Sequence, residues 1–389
     1  MTKVVVTGIG AVAANGLSAE EIFSACLQKK SGLKKCSLFS APALRTEYVG
    51  EIPDPTLPKH RRTLSIAEKA ADQAILDAGV SPDYFEKCGL RAALCFATLL
   101  SPTENMTDYL VSGDKDALCR VPEIISSLRK KYKLFGPSFT DSAACAAGTT
   151  TLGIAFDLIR EGKADVVLAG GADPLSKFAC FGFHSLQSLS SGTCRPFDKE
   201  RDGINLGEGG AFFVVESEEH ALKRKASIRG EIVGYGLNND AYHITSPDPE
   251  GYGAVASVTE AAKTVPFSEI GYVNAHGTGT ILNDAMEAGT LRKSAFSPDL
   301  IVSSSKSFVG HCLAAAGAVE GAITLLALQK GVFPPNLDLN SPMEECSSYV
   351  YPASPVEKDA EYALSDSFAF GGNTASILFK KYNAPEEEL

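Results

Sequence analysis

The sequence predicts an α/β protein built from two similar halves. Three observations carry this expectation. Short β-branched runs alternate with longer Ala- and Leu-rich stretches, the pattern of a mostly parallel sheet covered by helices. Two Gly/Ala-rich segments far apart in the chain repeat one another in register. With 389 residues, 44% apolar and 21% charged, the chain is long for one simple core and ordinary in globular composition.

The elements follow in order. VVVTGIGAV (4–12) reads as a strand buried on both faces. LSIAEKAADQAILDA (64–78) reads as a helix, with Gly79 as its C-cap. Arg91 to Thr98 reads as a strand, and so does DVVLA (165–169), closed by Gly170-Gly171. AFFVVE (211–216) is a further strand. HALKRKASIRG (220–230) is charged and precedes a fresh strand, Ile228 to Tyr235. That places a boundary between halves 1–227 and 228–389. Leu313 to Leu328 is apolar but Gly/Ala-rich and carries Glu320, which predicts a buried helix and no membrane span. The tail after Tyr382 is expected to fray.

The repeat lies between DSAACAAGTTTLGIAFDLIREG (141–162) and SFVGHCLAAAGAVEGAITLLALQKG (307–331). At an offset of 169 residues, Cys145-Ala-Ala-Gly148 falls on Ala314-Ala-Ala-Gly317, and Gly162 on Gly331. Two readings fit: chance likeness of Ala/Gly-rich helices, or a duplication whose paired helices approach closely between two sheets.

Composition removes several function classes. Thirty-six Lys and Arg stand against 47 Asp and Glu, a formal charge of -11, unsuited to non-specific nucleic-acid or membrane-surface binding. The ten cysteines show no C-x-x-C spacing, so neither a zinc site nor a redox pair is signalled. The apolar run at the N-terminus is too short and too broken for a signal peptide. A cytoplasmic protein with reduced thiols is expected.

Three residues at strand-to-loop junctions carry chemistry. Cys145, in DSAACAAGTT, follows a strand end and opens a helix, where the helix dipole is expected to lower the thiol pKa. Most cysteines are small buried hydrophobes, and the other nine are read that way. His276 lies in YVNAHGTGT and His311 in SSSKSFVGHCLAAAG, each after a short apolar strand. Neither has a partner at metal-ligand spacing. A thiolate that accepts an acyl group, with two imidazole donors to hold an enolate oxygen, suits acyl-thioester chemistry. The glycines of FAFGGN (368–373) would let backbone N–H groups approach the reacting centre.

These residues sit in motifs that resemble the β-ketoacyl-acyl-carrier-protein synthases of the elongating, Cys-His-His type. The motifs are DSAACAAG, RPFDKERDGINLGEGGA (195–211), DAYHITSP (240–247), VNAHGTGT with Asn283-Asp284, SSKSFVGH (304–311) with AAAGAVE following, and FAFGGN. They run in order along nearly the whole chain. The resemblance implies a thiolase-like fold, a duplicated αβαβα five-layer sandwich. It implies decarboxylative Claisen condensation: Cys145 takes an acyl chain from a carrier protein, and malonyl-carrier protein loses carbon dioxide and attacks it. His276 and His311 would stabilise the malonyl thioester oxygen. Lys306 and Glu320 match a supporting ion pair. Phe370 matches the gating aromatic, its N–H forming an oxyanion hole with that of Cys145. Thr278 and Thr280 match the threonines that bind the pantetheine arm. No resident cofactor or metal is implied, since 4′-phosphopantetheine arrives on the carrier.

The implied partners are an acyl carrier protein and either a second copy of the chain or a chain-length-factor-like subunit. Docking of an acidic carrier needs a local basic patch. Lys59, Arg61 and Arg62 form the first candidate, Arg129, Lys130 and Lys131 the second. The chain departs from the family in reading FAFGGNT and HGTGT, in residues 101–135, and in being somewhat short. Those departures leave open a housekeeping synthase or the ketosynthase of a polyketide or aryl-polyene pathway. A degradative thiolase would need a second reactive Cys where Phe370 stands, and an initiating synthase an Asn where His311 stands. A non-catalytic scaffold subunit would have no use for Cys145, His276 and His311 together.

Overall fold

The computed structural model describes residues 2–40, 42–103, 106–113 and 120–383. Its main sheet has ten strands in two sets of five. The first five in chain order are Val4–Val12, Ala92–Ala97, Ser138–Asp141, Val166–Asp173 and Gly209–Ser217. They lie side by side as third, second, fourth, fifth, first. The other five are Gly230–Asn239, Ile270–Asn274, Ile301–Ser303, Tyr362–Phe368 and Asn373–Lys380, and their order is the same. In each set the second, third and fourth strands run parallel, and the fifth and first pair antiparallel. The sets meet through only three residue pairs, Val4–Ile232, Val5–Glu231 and Val6–Gly230.

Three hydrophobic clusters define the layers. Helices Arg62–Asp77 and Val121–Tyr132 cover the outer face of the first set through Ile66, Ala70, Ala74, Ile124 and Leu128. Helices Ala147–Arg160 and Ala316–Lys330 fill the space between the sets, with Leu152, Phe156, Val319 and Ile323. Helices Tyr252–Ala261 and Ile281–Lys293 cover the outer face of the second set through Val258, Ala261, Ala288 and Leu291. The layers therefore run α, β, α, β, α. The stretch Leu313–Lys330 is long and apolar enough to cross a membrane, but 89% of it is buried inside the molecule.

The 169-residue offset is structural. Both central helices follow a single 3₁₀ turn, Ala144–Ala146 and Leu313–Ala315. Each turn starts on a non-glycine residue with positive φ, +48° at Ala144 and +52° at Leu313. Both helices end at a left-handed glycine, Gly162 and Gly331. The helices cross at equivalent glycines. A Cβ on Gly148 would stand 2.7 Å from the Ala318 nitrogen, and one on Gly317 would stand 2.2 Å from Thr149 Oγ1. Small residues were expected to allow close backbone approach, and here they are required for it.

Some sequence expectations need correction. Gly170 and Gly171 do not close their strand, which runs on to Asp173. A Cβ on Gly170 would stand 2.0 Å from the carbonyl oxygen of Ala211 on one neighbouring strand, and one on Gly171 2.8 Å from the Cβ of Ala97 on the other. The helix expected from Leu64 starts at Arg62, and the strand expected from Ile228 runs from Gly230 to Asn239. Most of the tail expected to fray, 384–389, lies outside the described residues, as do Cys119 and parts of 101–135.

Candidate active site

One cavity of about 280 Å³ is lined by Cys145, His276, His311, Thr278, Thr280 and Phe370, six of the residues singled out in the sequence. Cys145 sits in the 3₁₀ turn ahead of the first central helix and is 6% exposed. His276 follows the strand Ile270–Asn274, and His311 precedes the second 3₁₀ turn; each is 2% exposed. The two imidazole rings meet edge to face, with centroids 5.2 Å apart.

The backbone around each histidine is clamped. Glu287, fully buried on helix Ile281–Lys293, accepts from the amides of His276 at 2.6 Å and Gly277 at 2.7 Å. Asp284, one turn earlier, accepts from the amides of Phe197 and Gly279. The loop of His311 is stitched to the INLGEGG segment: the His311 amide donates to Asn205, and the Gly207 amide to the His311 carbonyl. Gly207 has no room for a side chain, since a Cβ would stand 2.4 Å from the carbonyl oxygen of Val309.

Hydrogen bonds assign the ring protons. His311 Nδ1 accepts from the amide of Leu313 at 3.1 Å, so its single proton sits on Nε2. His276 Nδ1 lies 3.2 Å from the ammonium of Lys306, which can only donate, and the same assignment follows. Lys306 also donates to the His276 carbonyl and forms a buried ion pair with Glu320. Burial, and then the Lys306 charge, hold both histidines well below the usual imidazole pKa, so they are neutral. The cavity thus presents two neutral N–H donors beside a fixed cation.

The thiol departs from expectation. A helix N-terminus was expected to lower its pKa, but burial pushes Cys145 up to about 12, with Asp173 and Glu320 adding to the rise and Lys306 opposing it. Desolvation of a sulfur anion at this buried position is the largest cause.

Phe370 lies at the cavity wall, its ring stacked on Phe183 with centroids 5.4 Å apart. Gly371 and Gly372 follow with φ of +82° and +78°. Their loop is latched to the DAYHITSP segment, the Gly371 amide donating to Ile244 and the Asp240 amide to Gly372. Thr278 and Thr280 place their hydroxyl oxygens 2.9 Å apart.

The basic patch needs correction. Arg62 is buried, and its guanidinium binds Glu208 bidentately and the carbonyls of Leu57 and Pro58. It belongs to the interior and cannot receive a carrier, whereas Lys59 and Arg61 are exposed. In the second cluster Lys130 is exposed, Arg129 donates to the carbonyls of Leu134 and Phe135, and Lys131 pairs with Asp72 and Glu68.

Three residues near the site escaped the sequence reading: Glu287, Phe183 and Asp173. Glu287 carried a signal, an acid one turn after Asp284 on the same helix face. Asp173 carried a weaker one, an acid that ends a strand otherwise made of Val, Leu, Ala and Gly. Phe183 had none. Among the described residues no group of three or more His, Cys, Asp and Glu could hold a metal ion.

Comparison with known proteins agrees with this geometry. Residues 1–221 match the β-ketoacyl synthase N-terminal domain, and 229–340 the C-terminal domain. The chain is 33% identical to 3-oxoacyl-[acyl-carrier-protein] synthase 2 of Coxiella burnetii, over 97% of this chain and 98% of that one. Among solved structures, the ishigamide ketosynthase/chain length factor superposes with a TM-score of 0.90 at 30% identity, covering 98% of this chain and 100% of that one. A type II polyketide-synthase ketosynthase, solved in complex with its acyl-carrier protein and bound to a hexaketide, superposes at 0.89 with 30% identity and the same coverage.

Proposed function

The chain belongs to the β-ketoacyl synthase family, with the thiolase-like fold, and from that premise we propose how its cavity carries out decarboxylative condensation. An acyl group passes from a carrier-protein thioester to Cys145, releasing the carrier thiol. Malonyl-carrier protein then binds and loses carbon dioxide. The resulting carbanion attacks the acyl-Cys145 thioester, giving a 3-oxoacyl carrier protein and expelling the Cys145 thiolate, which takes a proton from solvent to restore the thiol.

The observation that carries this reading is the pair of Nε2–H imidazoles, His276 and His311, facing one cavity with Cys145. Two neutral donors can hold the malonyl thioester oxygen as it becomes an enolate, and they cost no reorganisation. Lys306 and Glu320 keep the rings neutral and oriented. The amides of Cys145 and Phe370 serve the tetrahedral oxyanion, Phe370 closes over the empty thiol and moves once it is acylated, and Thr278 and Thr280 receive the pantetheine arm. No resident cofactor takes part, because that arm comes with the carrier.

In this reading 1–227 is the nucleophile half and 228–389 the histidine half. The protein pairs with a second copy or with a chain-length-factor-like subunit. The outer edge of the first strand set, Ser138–Asp141, supports this, with Phe135 and Phe139 exposed beside it at 50% and 41%. The carrier docks through Lys59 and Arg61 or through Arg129 and Lys130, and the enzyme works in the cytoplasm, in fatty-acid or polyketide and polyene synthesis.

The test is capture of the acyl group. After incubation with a mixture of acyl-carrier proteins, intact mass and peptide mapping should find one acyl group on Cys145, and its mass identifies the pathway's substrate. Absence of acylation, or acylation equally strong in Cys145→Ala, counts against the proposal.

A further inference from the structure

Asp173 ends the fourth strand of the first set, where it meets the 3₁₀ turn of the second half, and its side chain is completely buried. Its carboxylate is shared between the halves. Oδ1 accepts from the Thr98 hydroxyl at 2.8 Å and from the amides of Leu99 at 3.0 Å and Leu100 at 2.9 Å, all in the first half. Oδ2 accepts from the amide of Ala314 at 2.9 Å, in the second half, and also from the Leu99 amide at 3.2 Å. Ala314 stands in the 3₁₀ turn between His311 and the second central helix.

That turn has two successive amides to satisfy, those of Leu313 and Ala314. The first donates to His311 Nδ1 and the second to Asp173. Leu313 is held at φ +52°, a conformation that L side chains rarely adopt. A strained turn keeps its shape only when its surroundings over-determine it. Asp173 hydrogen-bonds this turn to the first half, where the Leu313 side chain also packs with Leu100, Leu175 and Leu206. Its pull on Ala314 aims the Leu313 amide at the imidazole. A second chain of contacts leads to the nucleophile: the Thr98 carbonyl accepts from Ser142 Oγ at 2.7 Å, three residues before Cys145.

We propose that Asp173 is a positioning residue for condensation: by holding the Ala314 amide, and with it the turn whose Leu313 amide donates to His311 Nδ1, it fixes His311 as the Nε2–H tautomer in the cavity with Cys145. The role rests on the condensation reading, but the tautomer it predicts exists in the resting protein. Asp173→Asn keeps the shape and loses one acceptor face, so either Ala314 or the Leu99–Leu100 amides meet an NH₂ group instead of an oxygen. The turn then relaxes and His311 is free to exchange tautomers.

Nitrogen-15 spectra of histidine-labelled protein read this directly, with no substrate present. Wild type should show His311 as a single Nε2–H tautomer, and Asp173→Asn a mixture. Carbon dioxide release from malonyl-carrier protein should lose about tenfold in kcat with KM changed less than about twofold, because binding is intact and only a transition-state donor is misplaced. A folded Asp173→Asn variant with His311 still a single Nε2–H tautomer and kcat unchanged overturns the proposal. Should that variant fail to fold, Asp173→Glu keeps the charge but pushes the Ala314 amide outward; the same two readouts must change, and their constancy overturns it. A changed tautomer in a protein that releases no carbon dioxide even as wild type would instead refute condensation and leave the positioning role standing.

Discussion

Removing either imidazole should stop decarboxylation while leaving the nucleophile in place. When malonyl-carrier protein loses carbon dioxide, negative charge builds on its thioester oxygen, and His276 and His311 each offer one N–H to it. Their Nδ1 atoms are already engaged, by Lys306 at 3.2 Å and by the Leu313 amide at 3.1 Å, so neither ring can present the wrong tautomer. One preorganised donor is worth about 3–4 kcal/mol, so His276→Ala or His311→Ala should slow carbon dioxide release by roughly a hundred- to a thousandfold. Both donors serve one oxygen, so the double variant should lose less than the product of the single losses. Both rings have pKa values well below the ordinary imidazole range, so between about pH 6 and 8 the wild-type release step should show no imidazole titration. The assay follows labelled carbon dioxide from malonyl-carrier protein, with Cys145 acylation read by mass in parallel. Cys145→Ala should still release carbon dioxide but take no acyl group. The histidine variants should still be acylated, because with Nε2 protonated and Nδ1 engaged neither ring takes the thiol proton. Full-rate release from either histidine variant, or loss of release in Cys145→Ala as complete as in the histidine variants, would refute this division of labour.

Two further outcomes test the framework around the site. Arg62→Met should cost about 3–5 kcal/mol in guanidinium-chloride unfolding, because it strands the buried Glu208 carboxylate with only the amides of Ile52 and Leu175; an unchanged midpoint would mean that the pair is not internal. His220 is raised to about 9 by its contacts with Cys88 and Glu216, so its stabilisation is complete below the unfolded value near 6.5 and is lost as pH rises through 9, on the order of 1–3 kcal/mol after screening; His220→Gln should flatten unfolding free energy between those pH values, and equal slopes in both proteins would contradict it.

The residues that line the cavity were readable because the proposed chemistry needs them at particular local turns. Cys145, His276 and His311 each follow a strand end, and the turn residues around them announce it. What was not readable depends on partners far along the chain. Arg62 counts as a surface charge until Glu208, 146 residues away, is seen to enclose it. Gly170-Gly171 reads as a stop signal until the Ala211 carbonyl is seen to forbid any side chain there. The direction of the Cys145 shift followed the same rule: the helix N-terminus is local and visible, whereas the burial that raises the thiol is assembled from both halves.

The repeat explains why Cys145 and His311 line one cavity at all. At the 169-residue offset Cys145 is equivalent to Ala314, and His311 to Ser142. Each half therefore brings the same device, a strained residue opening a 3₁₀ turn at the start of a central helix, at Ala144 and at Leu313. A non-glycine residue in that conformation costs about 1–2 kcal/mol, and both halves bear it. Gly148 and Gly317 let the two helices cross in backbone contact, which brings the two turns together across the seam. Two helix N-termini then converge on the cavity, and their positive ends favour the anionic oxygens of both half-reactions. From this symmetric frame the chemistry needed little asymmetry: a thiol at the second position of one turn, an imidazole two residues before the other, and His276 with its Lys306 support on the loop beside them. The anchor at Asp173 belongs to the same logic, since a site divided between two halves is only as well aligned as the contacts that cross the seam.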